Sequence, residues 1–291
     1  MIFLDIIGEK QYTMKICIIT CHDVYNFGAS LQAYALQHYL EELGHEVEII
    51  NYRPGYLYKK YDWKSFTSKK FDKLNSFFVT RWMFRIAKWS YLRFSLGRKK
   101  CFDEFTKNYL KLTDKTYYTF EELKMNPPCA DIIIAGSDQI WNPYFYDPYY
   151  YLEFVQDCYR KIAYAPSFGV ENVPNNNRKR IQKAISQFRY ISVREKRGAE
   201  IVYDLTGQHA ELTVDPTMLV TMKHWRTLSV SVVKEKKYLF CYFLSADPRY
   251  LKTAEEIAAE KNLTIRMLPM VAADFSKDGT IKKPVGPREW L

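Results

Sequence analysis

Residues 15–53 carry an uninterrupted strand–loop–helix–strand pattern, and this pattern limits the fold more than any other feature of the chain. The run Lys15–Thr20 is short, apolar and β-branched, which is typical of a buried strand in a parallel sheet. Apolar residues then recur at helical spacing over 36–43, and Gly44 is a helix stop signal. The next strand is predicted over 46–52. This order of elements predicts an α/β fold with a parallel sheet.

The loop Cys21–Ser30, which joins the first strand to the helix, is the strongest functional signal in this unit. A helix that starts in a loop of small polar residues offers free backbone N–H groups to an anionic ligand. Gly28 is the only glycine of the loop, so the dinucleotide fingerprint with three glycines is absent. Two alternatives stay open: the small residues only allow the helix to pack on the strand, and Asn26 is only an N-cap.

The length of 291 residues predicts two domains of the α/β type. We assign 14–217 to an N-terminal domain, which carries a basic, aromatic helical insertion at about 56–110. Residues 218–291 are assigned to a crossover followed by part of a second domain. Because Met14 directly precedes the first strand, residues 1–13 are predicted to be a loose tail or a non-native start. Further strands are predicted over 131–135, 161–165, 190–194, 211–214, 238–244 and 264–268, and helices over 178–188, from 195 and over 250–261.

The net charge of +10 is concentrated between Lys59 and Lys107, where fourteen basic residues face only four acidic ones. A basic, aromatic, helical stretch suits an anionic membrane surface or an acidic glycan, and the alternative is that it simply covers the sheet. No nucleic-acid-binding motif accompanies it, so nucleic acid is not an expected partner. The six cysteines are scattered, which predicts a reducing, cytoplasmic location and no metal site.

Five motifs occur in order along the chain, namely Asn26–Ala29 with Leu31–Leu36, Gly136–Asn142, Ala165–Gly169, Ile191–Glu195 and Val214–Thr217. Together they resemble the polysaccharide pyruvyl transferase family. The resemblance implies an α/β fold of two Rossmann-like halves, similar to GT-B glycosyltransferases. It also implies transfer of a pyruvyl group from phosphoenolpyruvate to sugar hydroxyls of a cell-surface polysaccharide or its lipid-linked precursor, without a metal or bound cofactor.

The resemblance also suggests roles for individual residues. Arg194 is the expected donor-site residue, because a guanidinium at a strand's carboxyl end can hold a carboxylate or a phosphate. Asp138 is the expected base on an acceptor hydroxyl, with a helix N-cap as its alternative. An ion pair with a neighbouring glutamate remains the alternative for Arg194. The other expected donor contacts are Asn26, Gly28, Ala29 and Ser30, and the other expected acceptor contacts are Ser137, Gln139 and Trp141.

The sequence departs from the family pattern at its end. The Ser-Phe-His-Gly motif of the family is not present, and the stretch Gly286–Leu291 reads as the start of a helix. We therefore expect the second half to be incomplete and the activity of this chain to be impaired by truncation. Two alternative functions stay open, a GT-B-type glycosyltransferase that uses a nucleotide sugar and a non-catalytic partner that binds a glycan or a membrane. Under the second, the protein would be peripheral at the inner face of the membrane.

Overall fold

Six short parallel strands form the central sheet of this computed structural model, which describes residues 12–55, 97–230, 237–243, 247–268, 281 and 284–291. The strand order is β2–β1–β3–β4–β5–β6, and every neighbouring pair is parallel. The α/β class with a parallel sheet is therefore confirmed. The strands are β1 Lys15–Ile19, β2 Glu46–Ile49, β3 Ile132–Ala135, β4 Lys161–Ala163, β5 Tyr190–Val193 and β6 Glu211–Leu212.

Helices connect most of these strands, whereas an irregular stretch with short 3₁₀ turns joins β3 to β4. The first, α1, begins after the N-cap Asn26 and ends before Gly44, whose φ of 88° lies in the left-handed region. This confirms the glycine stop, since a residue without a Cβ adopts that conformation at little cost. The helices here are α1 Phe27–Glu42, α2 Phe120–Met125, α3 Asn175–Ile185, α4 Lys196–Thr206 and α5 Met222–Leu228, and residues 97–109 are also helical.

Large aromatic side chains from the segment after β3 fill the core beneath the sheet. Trp141, Tyr149 and Tyr151 are fully buried and belong to one apolar cluster with the isoleucines and alanines of the central strands. Tyr149 stacks on Tyr52, with ring centroids 3.5 Å apart. The irregular, tyrosine-rich stretch is thus a structural layer whose rings exclude water from one face of the sheet.

The described residues divide into two compact units. The first contains 12–55 and Phe102–Thr227, and the second contains 97–101 and the described residues from Leu228 onward. The second unit holds a two-stranded parallel sheet with a helix between its strands, which confirms the strand–helix–strand pattern predicted there. Its elements are β7 Tyr238–Cys241, α6 Pro248–Lys261, β8 Thr264–Met267 and α7 Pro287–Trp290.

Several sequence predictions lie outside the described residues. The tail assigned to 1–13 is described only from residue 12. The basic insertion assigned to about 56–110 is described only over 97–110. The domain boundaries and the incompleteness of the second half therefore stay predictions. Within the described ranges, none of the helices combines the length and the apolar character that a membrane span requires.

Candidate active site at the carboxyl edge of the sheet

Polar groups collect where the strand order reverses, between β1 and β3. The chain runs from β1 to β2 on one side and then returns to β3 on the other side of β1. In open α/β sheets, ligands bind in the crevice that such a reversal leaves at the carboxyl ends of the strands. Thr20 follows β1 and Ser137 follows β3, and the Thr20 hydroxyl donates to the Ser137 carbonyl at 3.2 Å. The two loops are thus joined directly at the switch point.

The loop after β1 presents the N-terminus of α1. The Asn26 Oδ1 atom accepts a hydrogen bond from the Ala29 N–H at 3.1 Å, so the N-cap alternative describes a real contact. Gly28 is exposed, and a Cβ at this position would lie 3.3 Å from the Asn26 Oδ1 atom. Ser30 is buried, and its hydroxyl has no partner among the described residues. Donor binding by this turn stays a prediction.

The loop after β3 holds Ser137 completely inside the protein, with 0% of the residue exposed. Its hydroxyl donates to the Ala165 carbonyl at 2.8 Å and accepts from Arg194 Nη1 at 3.3 Å. This burial contradicts the expectation that Ser137 contacts an acceptor sugar, because its polar groups are already committed to the protein. The neighbouring Gln139 is exposed and its side chain lies over Gly169, where a Cβ would come within 1.4 Å of the Gln139 Nε2 atom.

Asp138 follows with a positive φ of 72°, and its Oδ1 atom accepts from the Gln139 N–H at 2.7 Å. Burial raises the pKa of Asp138 above its ordinary value, because desolvation penalises the charged carboxylate. The Gln139 N–H and the Arg194 charge act in the opposite direction, whereas the Asp215 charge raises the pKa further. A carboxylate with a raised pKa is a better proton acceptor, which suits the predicted base.

Trp141 is a core residue. It is 0% exposed, its ring stacks on Tyr151 and meets Phe168 and Phe188 edge-on, and its indole N–H donates to the Tyr150 carbonyl at 3.3 Å. The expected stacking of Trp141 on a sugar is therefore corrected to core packing. A tryptophan directly after a polar loop has the same sequence pattern whether its ring stacks on a sugar or packs in the core.

Arg194 directly follows β5 and reaches across to three partners. Its Nη1 atom lies 2.6 Å from Asp215 Oδ2, and its Nε atom donates to Glu195 Oε1 at 3.1 Å. The ion pair with a neighbouring glutamate, left open from the sequence, is therefore present. The Arg194 side chain is nevertheless 25% exposed, and its Nη2 atom makes no hydrogen bond to any described residue. The two N–H donors of Nη2 remain available to an anion.

Asp215 holds Arg194 while it also starts a short 3₁₀ turn. Its Oδ1 atom accepts from both the N–H and the hydroxyl of Thr217, at 3.0 and 2.8 Å. One oxygen of Asp215 thus caps this turn, and its second oxygen pairs with Arg194. The sequence reasoning did not anticipate this second role, because the pairing joins residues twenty-one positions apart.

A second polar group lies beside the site, at the ends of β1 and β2. His22 is buried, its Nδ1 atom lies 3.4 Å from the Thr20 carbonyl, and its Nε2 atom has no partner among the described residues. Burial lowers the pKa of His22, with the adjacent Asp23 carboxylate acting in the opposite direction. Asp23 lies 3.7 Å from Arg53 Nε. In the described part of the chain, no group of three metal-ligating side chains comes together.

A comparison with family models identifies the family of this chain. A model described as polysaccharide pyruvyl transferase matches residues 26–291, which is nearly the whole chain. The chain belongs to the polysaccharide pyruvyl transferase family. The resemblance seen in the five motifs is thereby confirmed, and membership implies a transferase with a polysaccharide acceptor. Searches of curated proteins and of solved structures find no match.

Proposed function

We propose that this family member transfers the pyruvyl group of phosphoenolpyruvate to two hydroxyls of a cell-surface polysaccharide or of its lipid-linked precursor. In this reaction the methylene carbon of the donor takes a proton and becomes a methyl group. The neighbouring carbon forms bonds to both hydroxyl oxygens, and its bond to the phosphate oxygen breaks. The two hydroxyls lose two protons in total. This loss is matched by the one proton that the methylene carbon takes up and the one that leaves with phosphate. The product is a cyclic ketal that retains the carboxylate.

The observation that carries the proposal is the placement of Arg194. Phosphoenolpyruvate bears a carboxylate and a phosphate, and a charged guanidinium N–H group donates a strong hydrogen bond to either. Ser137 and Asp215 fix one Nη atom of Arg194, while Nη2 keeps its donors and the side chain stays partly exposed. Under this proposal the N-terminus of α1 adds backbone N–H groups and a favourable dipole on the same carboxyl edge of the sheet.

Asp138 and Gln139 would serve the acceptor side. Asp138 would remove the proton from an attacking hydroxyl, since its raised pKa makes its carboxylate a stronger base. Gln139 is exposed at the same loop and would donate to, or accept from, sugar hydroxyls. Phosphoenolpyruvate is a substrate in this scheme, so no bound cofactor is invoked.

We also propose the two-half, GT-B-like organisation that the resemblance implies. The separate parallel pair β7 and β8, joined through α6, supports a second Rossmann-like half. A cytoplasmic location and a contact between the basic segment 59–107 and an anionic membrane remain part of the proposal, supported by the concentration of positive charge there.

The test combines the purified chain with phosphoenolpyruvate and a panel of polysaccharides freed of pyruvyl ketals by mild acid. We expect phosphate release that depends on the acceptor, together with a new ketal methyl signal in the proton NMR spectrum of the polysaccharide. Both should be slow, in line with the impaired activity that the sequence predicts for this chain. A parallel series with nucleotide sugars tests the glycosyltransferase alternative. Sugar incorporation from a nucleotide sugar, without phosphate release from phosphoenolpyruvate, would contradict the proposed reaction.

A further inference from the structure

A buried amide inside the first unit connects the loop after β1 to the loop after β3. Gln32 lies on α1, is 2% exposed, and makes three hydrogen bonds. Its Oε1 atom accepts from the Ser137 N–H at 3.1 Å. Its Nε2 atom donates to the Thr20 hydroxyl at 2.8 Å and to the Ala29 carbonyl at 2.9 Å. The amide therefore uses both N–H donors and one oxygen lone pair, far from solvent.

The chemistry of the partners fixes which way this amide points. A backbone N–H can only donate, so the atom of Gln32 that faces Ser137 has to be the oxygen. The Ala29 carbonyl can only accept, so the atom that faces it has to be the nitrogen. The Thr20 hydroxyl, which receives the second N–H of Gln32, spends its own proton on the Ser137 carbonyl. Thr20 and Gln32 thus hold the carbonyl and the N–H of one residue, Ser137.

The same residue supports the guanidinium. The Ser137 hydroxyl proton goes to the Ala165 carbonyl, which leaves an oxygen lone pair to accept from Arg194 Nη1. We propose that Gln32 is a positioning residue for Arg194: it fixes Ser137, which together with Asp215 and Glu195 holds the guanidinium ready for an anionic donor. The bonds form one directional chain, in which every proton has a single assigned acceptor.

This inference rests on the proposed function only for the identity of the anion. An arginine side chain gives up considerable rotamer freedom when it binds, and a site that holds it beforehand avoids that loss on binding. Gln32 does not reach the open Nη2 atom, so its effect on the donor passes through Ser137. Removal of the Gln32 amide should therefore weaken donor binding without removing any donor contact.

The chain provides a matched control on the same helix. Gln37 is also 2% exposed, and its Oε1 atom accepts from the Lys111 N–H at 2.8 Å, away from the site. Gln32→Met and Gln37→Met each replace a buried amide by an unbranched apolar side chain of similar length. Both should lower the melting temperature to a similar degree. Only Gln32→Met should weaken the binding of phosphoenolpyruvate, by tenfold or more, in calorimetric titrations.

Thr20 provides a second, conservative pair. Thr20→Val removes the hydroxyl at nearly constant volume and should weaken phosphoenolpyruvate binding as Gln32→Met does, whereas Thr20→Ser keeps the hydroxyl and should bind within twofold of the unchanged protein. The double variant Gln32→Met/Thr20→Val should lose less affinity than the two single losses combined, because both act on Ser137. Equal affinity in Gln32→Met and Gln37→Met would overturn the inference, even if phosphoenolpyruvate binds well.

The side-chain NMR signals of Arg194 separate this inference from the proposed function. Arg194→Lys identifies the signals by their loss. In the unchanged protein, hindered rotation should give distinct Nη resonances for Arg194, and these should merge in Gln32→Met but not in Gln37→Met. If the unchanged protein does not bind phosphoenolpyruvate, the proposed donor is wrong while the NMR result still decides the positioning role. Distinct resonances that persist in Gln32→Met would overturn that role.

Discussion

Replacement of Arg194 by methionine tests the central step of the proposed chemistry. The variant keeps an unbranched stem of similar width but removes the Nη2 group, which has no described partner, together with the donors to Ser137, Glu195 and Asp215. Phosphoenolpyruvate would lose at least one hydrogen bond in which both partners are charged. We expect the affinity for phosphoenolpyruvate to fall sharply.

The magnitude follows from the contacts. A hydrogen bond to a charged group contributes about 1.5–3 kcal/mol, so one lost contact weakens binding by about 10- to 150-fold. The effect on stability is smaller. The pair between Arg194 and Asp215 is short, at 2.6 Å, but the two side chains are 25% and 29% exposed, so solvent screens their attraction. We expect the free energy of unfolding to fall by about 1 kcal/mol, which lowers the melting temperature by about 2–4 °C in a chain of this size.

Isothermal titration with phosphoenolpyruvate measures the affinity, and a thermal melt without ligand measures the stability. Arg197→Met is the matched control. Arg197 lies three positions further along, is 35% exposed on its side chain, and pairs with Glu200 at 2.8 Å on the outside of α4. This control should lose a similar amount of stability and should bind phosphoenolpyruvate with unchanged affinity. Equal affinity in the two variants would refute the assignment of Arg194 to the donor site.

Three further outcomes follow from the site. Since burial raises the pKa of Asp138, the acidic limb of the pH–rate profile should have its midpoint above the ordinary pKa range of an aspartate. This limb should disappear in Asp138→Asn, and a limb that persists would exclude Asp138 as the base. Burial lowers the pKa of His22 below its ordinary value of about 6.5, so at lower pH the unfolded chain binds a proton that the folded chain does not. The free energy of unfolding should therefore fall as the pH drops below that value, by up to about 1.4 kcal/mol per pH unit. Thermal melts at several pH values should show a shallower fall in His22→Gln, and an identical slope in the two proteins would contradict this. Gly169→Ala should destabilise the protein, because its φ is +61° and the new Cβ would overlap the Gln139 side chain. Thermal melts of the double variant Gly169→Ala/Gln139→Ala should show part of the lost stability restored. If the losses of the two single variants simply add, the overlap is contradicted.

The sheet could be predicted from the sequence because its strands are local signals. Short β-branched runs such as Ile132–Ala135 have no other good environment than the interior of a parallel sheet. Strand ends were less predictable, as the run 211–214 shows. The Thr213 N–H still bonds to the Val193 carbonyl at 2.9 Å, but the Val214 carbonyl accepts from the Tyr164 hydroxyl instead. Tyr164, which directly follows β4, is therefore the partner of this strand end, and no local sequence pattern predicts that contact.

The site was less predictable than the fold for the same reason. Its loops could be placed, since polar residues after parallel strands meet at one edge of the sheet. The depth of each side chain in these loops depends on what packs against it. Trp141 is covered by Tyr151, Phe168 and Phe188, which come from other parts of the chain. Gln32 lies on a helix that is buried on most of its surface, so helical periodicity could not separate it from a solvent-facing position.

Asn26 and Arg194 each perform a structural role without using all of their hydrogen-bonding capacity or that of the groups beside them. Asn26 satisfies one backbone N–H, that of Ala29, whereas a helix start leaves about four unpaired. The carboxylates on Arg194 occupy Nε and Nη1 and leave Nη2 without a described partner. The carboxylates of Glu195 and Asp215 hold the guanidinium in place while Nη2 keeps its two N–H donors, so the ion pairs do not exclude the donor role that we propose for Arg194.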